Sequence, residues 1–330
     1  MSLKLGFQGV AHMHAYSYAS CAKGRNDVQV VGVWDRDPEK SAAFAQAFSV
    51  DVIESADALC DSSDAVVIAC ENKRHAEDIE TAARHGCAIL CEKPLVTDEA
   101  EADRAMAALK THGVRLMTAF PCRFSPAFSR LKHVVSEGAV GPLRALRTTN
   151  RGTCPFGWFV QKEHSGGGAM IDHTVHVADL LRDLLQAEPT SVFAQIGSNL
   201  YGQDWEDTAM VTLTFPGGIF ATLDSSWSRP KTYKTWGDVT ISAVGDSGVV
   251  DLDMFGPGVD VFGEGATTHR LSAYGSNLDA LLLDEFVASI RDDREPLVTA
   301  KDGLQAARIA MAAYRSVESG RPEPVRSDDL

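Results

Sequence analysis

No apolar run in this chain of 330 residues is long enough to cross a bilayer, the longest being strand-sized stretches at Val28–Trp34 and 65–70. The amino terminus enters a strand at once, without the basic-then-apolar pattern of a secretory leader, so the cytoplasm is the expected location. Positive charge is scarce. Thirty-one basic residues face 45 acidic ones, for a net charge of −14. Phosphate binding needs local positive charge, which argues against nucleic acid and anionic membrane as main partners. The seven cysteines, Cys21, Cys60, Cys70, Cys87, Cys91, Cys122 and Cys154, include no close pair with metal-ligand spacing. An odd number of them, mostly in apolar stretches, reads as free thiols of a reducing compartment. Repeats, low-complexity tracts and long linkers are absent as well. What remains is ordinary globular composition, 45% hydrophobic and 23% charged, on a chain long enough for two domains.

Strand and helix signals alternate over the first 120 or so residues. Leu3–Gln8 is a short apolar strand, and Val28–Trp34 is a near-continuous β-branched run that suits burial on both faces. Further strands are expected at 65–70, Ala88–Cys91 and 114–120. Between them Pro38 opens a helix at a first-turn position, His75 starts another that ends at Gly86, and Asp98 with Glu101 caps a third that Gly113 stops. Such alternation specifies βαβ units and a parallel sheet. After Pro121 the pattern changes to a helix over Pro126–Ser136, a strand over 142–150 and a long helix after Gly166-Gly167-Gly168. Six closely spaced strands follow, at 190–197, 207–215, 218–227, 239–244, Gly248–Asp253 and 259–262, then two closing helices at 277–291 and 301–319. The expectation is an α/β protein with a dinucleotide-binding domain over 1–122 and a second α/β domain over 123–330. The second carries a large, mostly antiparallel open sheet, and the closing helices are free to pack back on the first.

A dinucleotide fingerprint needs glycine after the first strand, so that the backbone can approach a pyrophosphate at a helix start. Gly9 takes that place, while Ala11 and His14 stand at the second and third glycine positions. Asp35, after the second strand, is placed to bind the adenine ribose hydroxyls, which favours NAD. Arg36 beside it offers a site for a 2′-phosphate and keeps NADP open. Asp35 also reads as a cap for the helix at Pro38. His12 suits a capping or phosphate-contacting role. His12-x-His14 also resembles the opening of an amidohydrolase metal site, but that barrel needs eight βα units and the run here stops after about five. No metal is therefore expected.

Lys93, in Cys91-Glu92-Lys93-Pro94, lies at the carboxyl end of a strand, the edge where α/β sheets bind ligands. There a lysine can hydrogen-bond a substrate hydroxyl. Otherwise it is a solvated surface lysine. Asp172 and His176 are spaced i, i+4 on the helix after the three glycines. An imidazole passes protons at neutral pH, and a carboxylate one turn away orients it. The alternative is a plain helix ion pair, against which the glycines weigh, since they lower helix stability and imply close approach to something bulky. Asp179 is expected to pair with Arg182.

Glu92-Lys93-Pro94, the glycine run leading to Asp172-x-x-x-His176, and Gly138-x-x-Gly141 before a strand together resemble the glucose–fructose oxidoreductase / inositol dehydrogenase / rhizopine-catabolism (Gfo/Idh/MocA) dehydrogenase family, over nearly the whole chain. The resemblance implies a Rossmann domain, and a carboxyl-terminal α/β domain whose open sheet makes a homodimer or homotetramer. It implies that Lys93 contacts the substrate hydroxyl, that His176 accepts the proton and that Asp172 assists. The family often has Thr-Pro-Asn after the third strand, where this chain has Cys70-Glu71-Asn72. Asn72 and His75 still match, so the expected cofactor contacts are Gly9, Val10, Ala11, His12, Asp35, Arg36, Cys70, Asn72, His75, Glu92 and Lys93. His173 replaces a commonly smaller residue and is a candidate substrate contact.

Two aromatic loops, around Trp158 and around Trp227 with Tyr233 and Trp236, suit stacking against a polyhydroxylated ring or, equally, an oligomer contact. Arg123 joins Trp158, His173 and Trp227 as a candidate substrate contact. The expected activity is hydride transfer between NAD(P) and a secondary alcohol carbon of a sugar, inositol or related polyol. NAD-assisted glycoside cleavage and a non-catalytic sensing role are the alternatives.

Overall fold

The computed structural model describes residues 2–256, 258–261, 270–273 and 275–327. Along the chain run β1 (Leu3–Gln8), α1 (His14–Lys23), β2 (Val28–Trp34), α2 (Pro38–Phe48), α3 (Ala56–Asp61), β3 (Ala65–Ile68), α4 (His75–Arg84), β4 (Ala88–Cys91), α5 (Glu99–His112) and β5 (Leu116–Thr118). Then come α6 (Pro126–Ser136), β6 (Leu143–Gly152), α7 (Lys162–Ser165), α8 (Ala169–Leu185), β7 (Ser191–Gly197), β8 (Thr208–Thr214) and β9 (Phe220–Asp224). The chain closes with β10 (Gly237–Gly245), β11 (Gly248–Asp253), β12 (Gly258–Val261), β13 (Arg270–Ala273), α9 (Leu278–Arg291), α10 (Ala300–Ser319) and β14 (Glu323–Pro324). Contacts divide it into two units. The first comprises Met1–Pro121, Glu163–Gly166 and Leu278–Ala307, and the second Cys122–Lys162, Gly167–Asn277 and Arg308–Leu330.

In the first unit five parallel strands are ordered β2-β1-β3-β4-β5. The order reverses between β1 and β3, and crevices of this kind bind ligands at the carboxyl ends of the strands. All four residues of β3 are buried, as its unbroken apolar run requires. Caps written in the sequence set the helices. Asp37 caps α2 by accepting from Glu39 N–H, with Pro38 in the first turn. Asp98 accepts Glu101 N–H at 2.9 Å, and Gly113 ends α5 in the left-handed region. Glu101 reaches back one residue further than the sequence implied, to Thr97 N–H at 2.8 Å. Helix α3, capped by Ser55, was absent from the sequence reading.

The second unit holds a seven-stranded sheet, β11-β10-β6-β9-β8-β7-β14. It is largely antiparallel, with one parallel pair, β6 with β9. Alternate residues of β8, Ala209, Val211 and Leu213, are buried. On the strands, Met210, Phe220, Val244 and Val249 are exposed, and Val244 pairs directly with Val249. The strand expected over 218–227 is shorter at both ends, Phe220–Asp224, and its later start follows the positive φ of Gly217 and Gly218. β12 accounts for most of the strand expected at 259–262, whose last residue lies outside the described ones.

Candidate active site

After β1 the chain turns at Gly9, whose φ is 79°. A Cβ there would stand 2.5 Å from the Cys70 Cβ, so only glycine fits. Three backbone N–H groups then bind neighbouring strand ends: Gly9 to Trp34 C=O at 2.7 Å, Val10 to Asp35 Oδ2 at 2.7 Å, and His12 to Ala69 C=O at 2.9 Å. Asp35 Oδ1 accepts Asp37 N–H at 2.8 Å. Burial raises the Asp35 carboxyl pKa, and these N–H groups pull it back only in part. The Arg36 guanidinium lies 5.1 Å over the Trp34 ring and forks onto the buried Asp78 carboxylate.

Cys70 is buried, which pushes its thiol pKa well up. Asn72 is buried too, and donates through Nδ2 to Ser165 C=O at 2.8 Å. Its Oδ1 has no hydrogen-bond partner in the protein. A glycine-only turn, a fixed carboxylate after β2 and an orphaned buried amide oxygen after β3 fit a dinucleotide along this edge. His75 Nδ1 bonds Pro94 C=O at 2.8 Å, and burial lowers its pKa, so a neutral imidazole supports the turn, while its Nε2 has no hydrogen-bond partner in the protein.

Lys93 is almost fully buried, at 4% exposure, and its backbone N–H donates to Glu92 Oε2 at 3.1 Å. Glu92 Oε1 accepts from Tyr18 Oη at 2.6 Å and meets His14 Nδ1 at 2.9 Å. Burial raises the Glu92 pKa, but His12, His14 and Lys93 outweigh it and hold the carboxyl well below its ordinary value. Burial likewise opposes charge on His14, and Glu92 reverses this, so the His14 pKa is raised. His12, His14 and Glu92 are close enough to suggest a cation site. Within the trio, His14 N–H donates to His12 Nδ1 at 3.2 Å and His14 Nδ1 bonds Glu92 Oε1 at 2.9 Å.

In the second unit α8 sets Asp172 and His176 one turn apart, about 6 Å along the axis. Asp172 is buried, accepts Trp227 Nε1–H at 3.1 Å through Oδ2, and pairs with His173 Nε2 at 3.3 Å. The glycines before the helix are explained by the protein itself. Cβ atoms would meet Thr97 at 2.6 Å from Gly166, Tyr314 Oη at 1.9 Å from Gly167 and Glu206 C=O at 2.3 Å from Gly168. Glu206 also holds the helix start, accepting Gly168 N–H through Oε1 and Ala169 N–H through its carbonyl, while Tyr314 Oη bonds the same Oε1 at 2.6 Å.

Several expected substrate contacts are placed otherwise. Arg123 spends its guanidinium on Asp179 and Asp183. Asp179 pairs with Arg123, and Arg182 binds Glu188. Trp227 is 1% exposed and packs with Cys154, Phe159 and Ala169, so it lies inside the aromatic wall. Trp158 stacks on Phe159 with centroids 3.9 Å apart. His173 is fully buried, over Gly152 and edge-on to the exposed Trp236. Exposed Phe156 meets Tyr201 and Trp205 edge-on at 5.4 and 6.4 Å. Sequence reading missed Tyr201, Trp205, Tyr18, Glu206 and Tyr314. Only Tyr18 had a signal, its i, i+4 spacing from His14.

Known proteins are similar to this chain in sequence and fold. A family model described as "Oxidoreductase family, NAD-binding Rossmann fold" matches residues 3–120, and one described as "GFO/IDH/MocA C-terminal domain" matches residues 128–251. Inositol 2-dehydrogenase of Rhizobium meliloti (strain 1021) is 31% identical over 341 residues, covering 97% of this chain and 98% of that protein. The crystal structure of a putative myo-inositol dehydrogenase from Sinorhizobium meliloti 1021 superposes with a TM-score of 0.83 at 27% identity, covering 98% of this chain and all of that one. GenD2 from gentamicin A biosynthesis, solved in complex with NAD, shares the fold with a TM-score of 0.90 at 24% identity, over 99% of this chain and 97% of that one.

Proposed function

The chain belongs to the GFO/IDH/MocA family of NAD-binding oxidoreductases, and from that premise we propose that it oxidises a secondary alcohol carbon of an inositol, sugar or related polyol. The observation that carries this is Lys93, a buried lysine in a turn fixed at the carboxyl edge of the parallel sheet. Bound NAD supplies the hydride acceptor. Gly9, Val10, Ala11 and His12 would hold its pyrophosphate, Asp35 would accept from its adenosine ribose, and Asn72 Oδ1 would accept a further hydrogen bond from it.

Lys93 donates a hydrogen bond to the oxygen of the reacting carbinol and lowers its pKa. His176 takes the hydroxyl proton as the carbon becomes a carbonyl, and passes it to solvent. Asp172, held by Trp227 and His173, supplies the negative charge that stabilises the imidazolium. The aromatic group of Phe156, Tyr201 and Trp205 stacks on the apolar face of the ring substrate.

NADH formation from a panel of inositols and aldoses tests the proposal. No NADH from any of them, with NAD bound, removes it. The exposed Phe156 edge also suits the aglycone of a glycoside. Release of an aryl alcohol without net NADH would favour NAD-assisted glycoside cleavage instead.

Among the described residues no helix is long and apolar enough to cross a membrane. We place the enzyme in the cytoplasm, and read the exposed Met210, Phe220, Val244 and Val249 as a surface for a second copy of the chain. Light scattering of the purified protein reads the assembly directly.

A further inference from the structure

Around Glu92, groups far apart in sequence converge. Tyr18 and His14 donate to Oε1, Lys93 N–H donates to Oε2, and His12 Nε2 stands 3.9 Å from Oε2. His14 and Tyr18 share one face of α1, so a single helix delivers both donors to the same oxygen. On the other side of the turn His75 holds Pro94 C=O. The segment is thus gripped at the Lys93 N–H by a buried carboxylate and at the Pro94 carbonyl by a buried imidazole. His14 occupies the third glycine position of the dinucleotide fingerprint, where a side chain is normally excluded by close helix–strand packing.

We propose that His14 is a positioning residue for Lys93: with Tyr18 it locks the Glu92 carboxylate, which holds the Lys93 amide and fixes the backbone from which the lysine projects. A buried carboxylate demands full hydrogen bonding. Without His14, Glu92 loses one of its donors on Oε1 and relaxes by taking a proton or turning toward water. Either change loosens its hold on the Lys93 N–H. The groups facing His14 are Glu92, Tyr18, His12, Asp279 of α9 and Lys93. As pH rises through its raised pKa, His14 loses its charge while its Nδ1–H remains, and the grip weakens on the alkaline side.

The effect on turnover rests on the polyol-dehydrogenase proposal, whereas the grip itself is read without cofactor. Amide hydrogen exchange at Lys93 is measured by fragment-resolved mass spectrometry on the cofactor-free full chain, with Ile89 and Leu90 of β4 as internal references. His14→Ala should speed Lys93 exchange about tenfold or more relative to those references, the scale of one hydrogen bond to a charged group. Tyr18→Phe should speed it less, and His14→Gln, which keeps an N–H donor, should restore most of the protection. In turnover, His14→Ala should lower kcat about tenfold while leaving KM for NAD within about threefold, a loss of positioning rather than of binding. The alkaline limb of the wild-type kcat profile should flatten in His14→Gln. Lys93 exchange unchanged in His14→Ala, or rising only in step with Ile89 and Leu90, overturns the proposal even if the enzyme is active. Faster Lys93 exchange in a protein that oxidises no polyol leaves the grip standing and removes the function.

Discussion

Arg36 grips Asp78 with both terminal nitrogens, Nη2 at 2.7 Å from Oδ1 and Nη1 at 3.1 Å from Oδ2. Burial opposes the charge of Arg36, but Asp78 more than compensates and its pKa is raised. A guanidinium held in this way is withdrawn from recognising a 2′-phosphate, while Asp35 beside it repels one. NAD should therefore bind about ten- to a hundredfold more tightly than NADP, the range of one hydrogen bond to a charged group. Titration calorimetry with both cofactors checks this, and Asp35→Ser should shrink the ratio. Equal affinities would remove the role given to Asp35.

Lys93→Ala and His176→Ala should each lower kcat by about a hundredfold to ten-thousandfold, the usual contribution of a positioned proton donor or acceptor. NAD affinity, measured by quenching of protein fluorescence, should change little for His176→Ala. Retained turnover in both variants would dismiss the assignment of these two residues.

Gly167 leaves no room for a side chain, since its Cβ would lie 1.9 Å from Tyr314 Oη. Gly167→Ala should destabilise the protein by about 1–3 kcal/mol, as overpacking does. Adding Tyr314→Leu should recover part of that loss, because the clashing oxygen goes. Denaturant unfolding of the single and double variants measures both steps, and an unaffected Gly167→Ala would contradict the contact.

The pair of His14 and Glu92 gives stability a pH signature of known sign. Glu92 has a depressed folded pKa, so its contribution is present above 4.5 and is lost as pH falls through its own lower value. His14 has a raised folded pKa, so its contribution is complete below 6.5 and is lost as pH rises through the raised value. The melting temperature of wild type minus that of His14→Gln should be level between those limits and decline on the alkaline side of 6.5. A difference that stays level there would mean that His14 is uncharged in the fold.

Local chemistry made much of this legible before any coordinates. Asp98 with Gly113, Pro38, and the alternation of apolar runs act within a few residues, and each is where the sequence puts it. Asp35 stands out as a candidate because strand ends have a fixed meaning in parallel sheets, and Lys93 mainly through the family resemblance. What stayed hidden depends on distant partners. Arg123 meets Asp179 across 56 residues, Glu92 meets His14 across 78, and Tyr314 meets Glu206 across 108. No periodicity encodes such pairs. The side-by-side placement of β6 and β9 is of the same kind, being set by how the sheet assembles. Trp227 misled for another reason. An indole suits an open wall and a core equally, and its Nε1–H decided the matter by finding Asp172.

The parallel sheet of the first unit is closed at both margins by single residues. Val52 bridges to Val33 beside β2, with Asp51 C=O and Ile53 N–H completing the pair, and Thr299 bridges to Met117 beside β5. Each outer strand is therefore bridged at one residue, which shortens the open row of amides that a stray chain could pair with. Two short stretches of otherwise irregular backbone thus do the work of guard rails for the whole nucleotide-binding half.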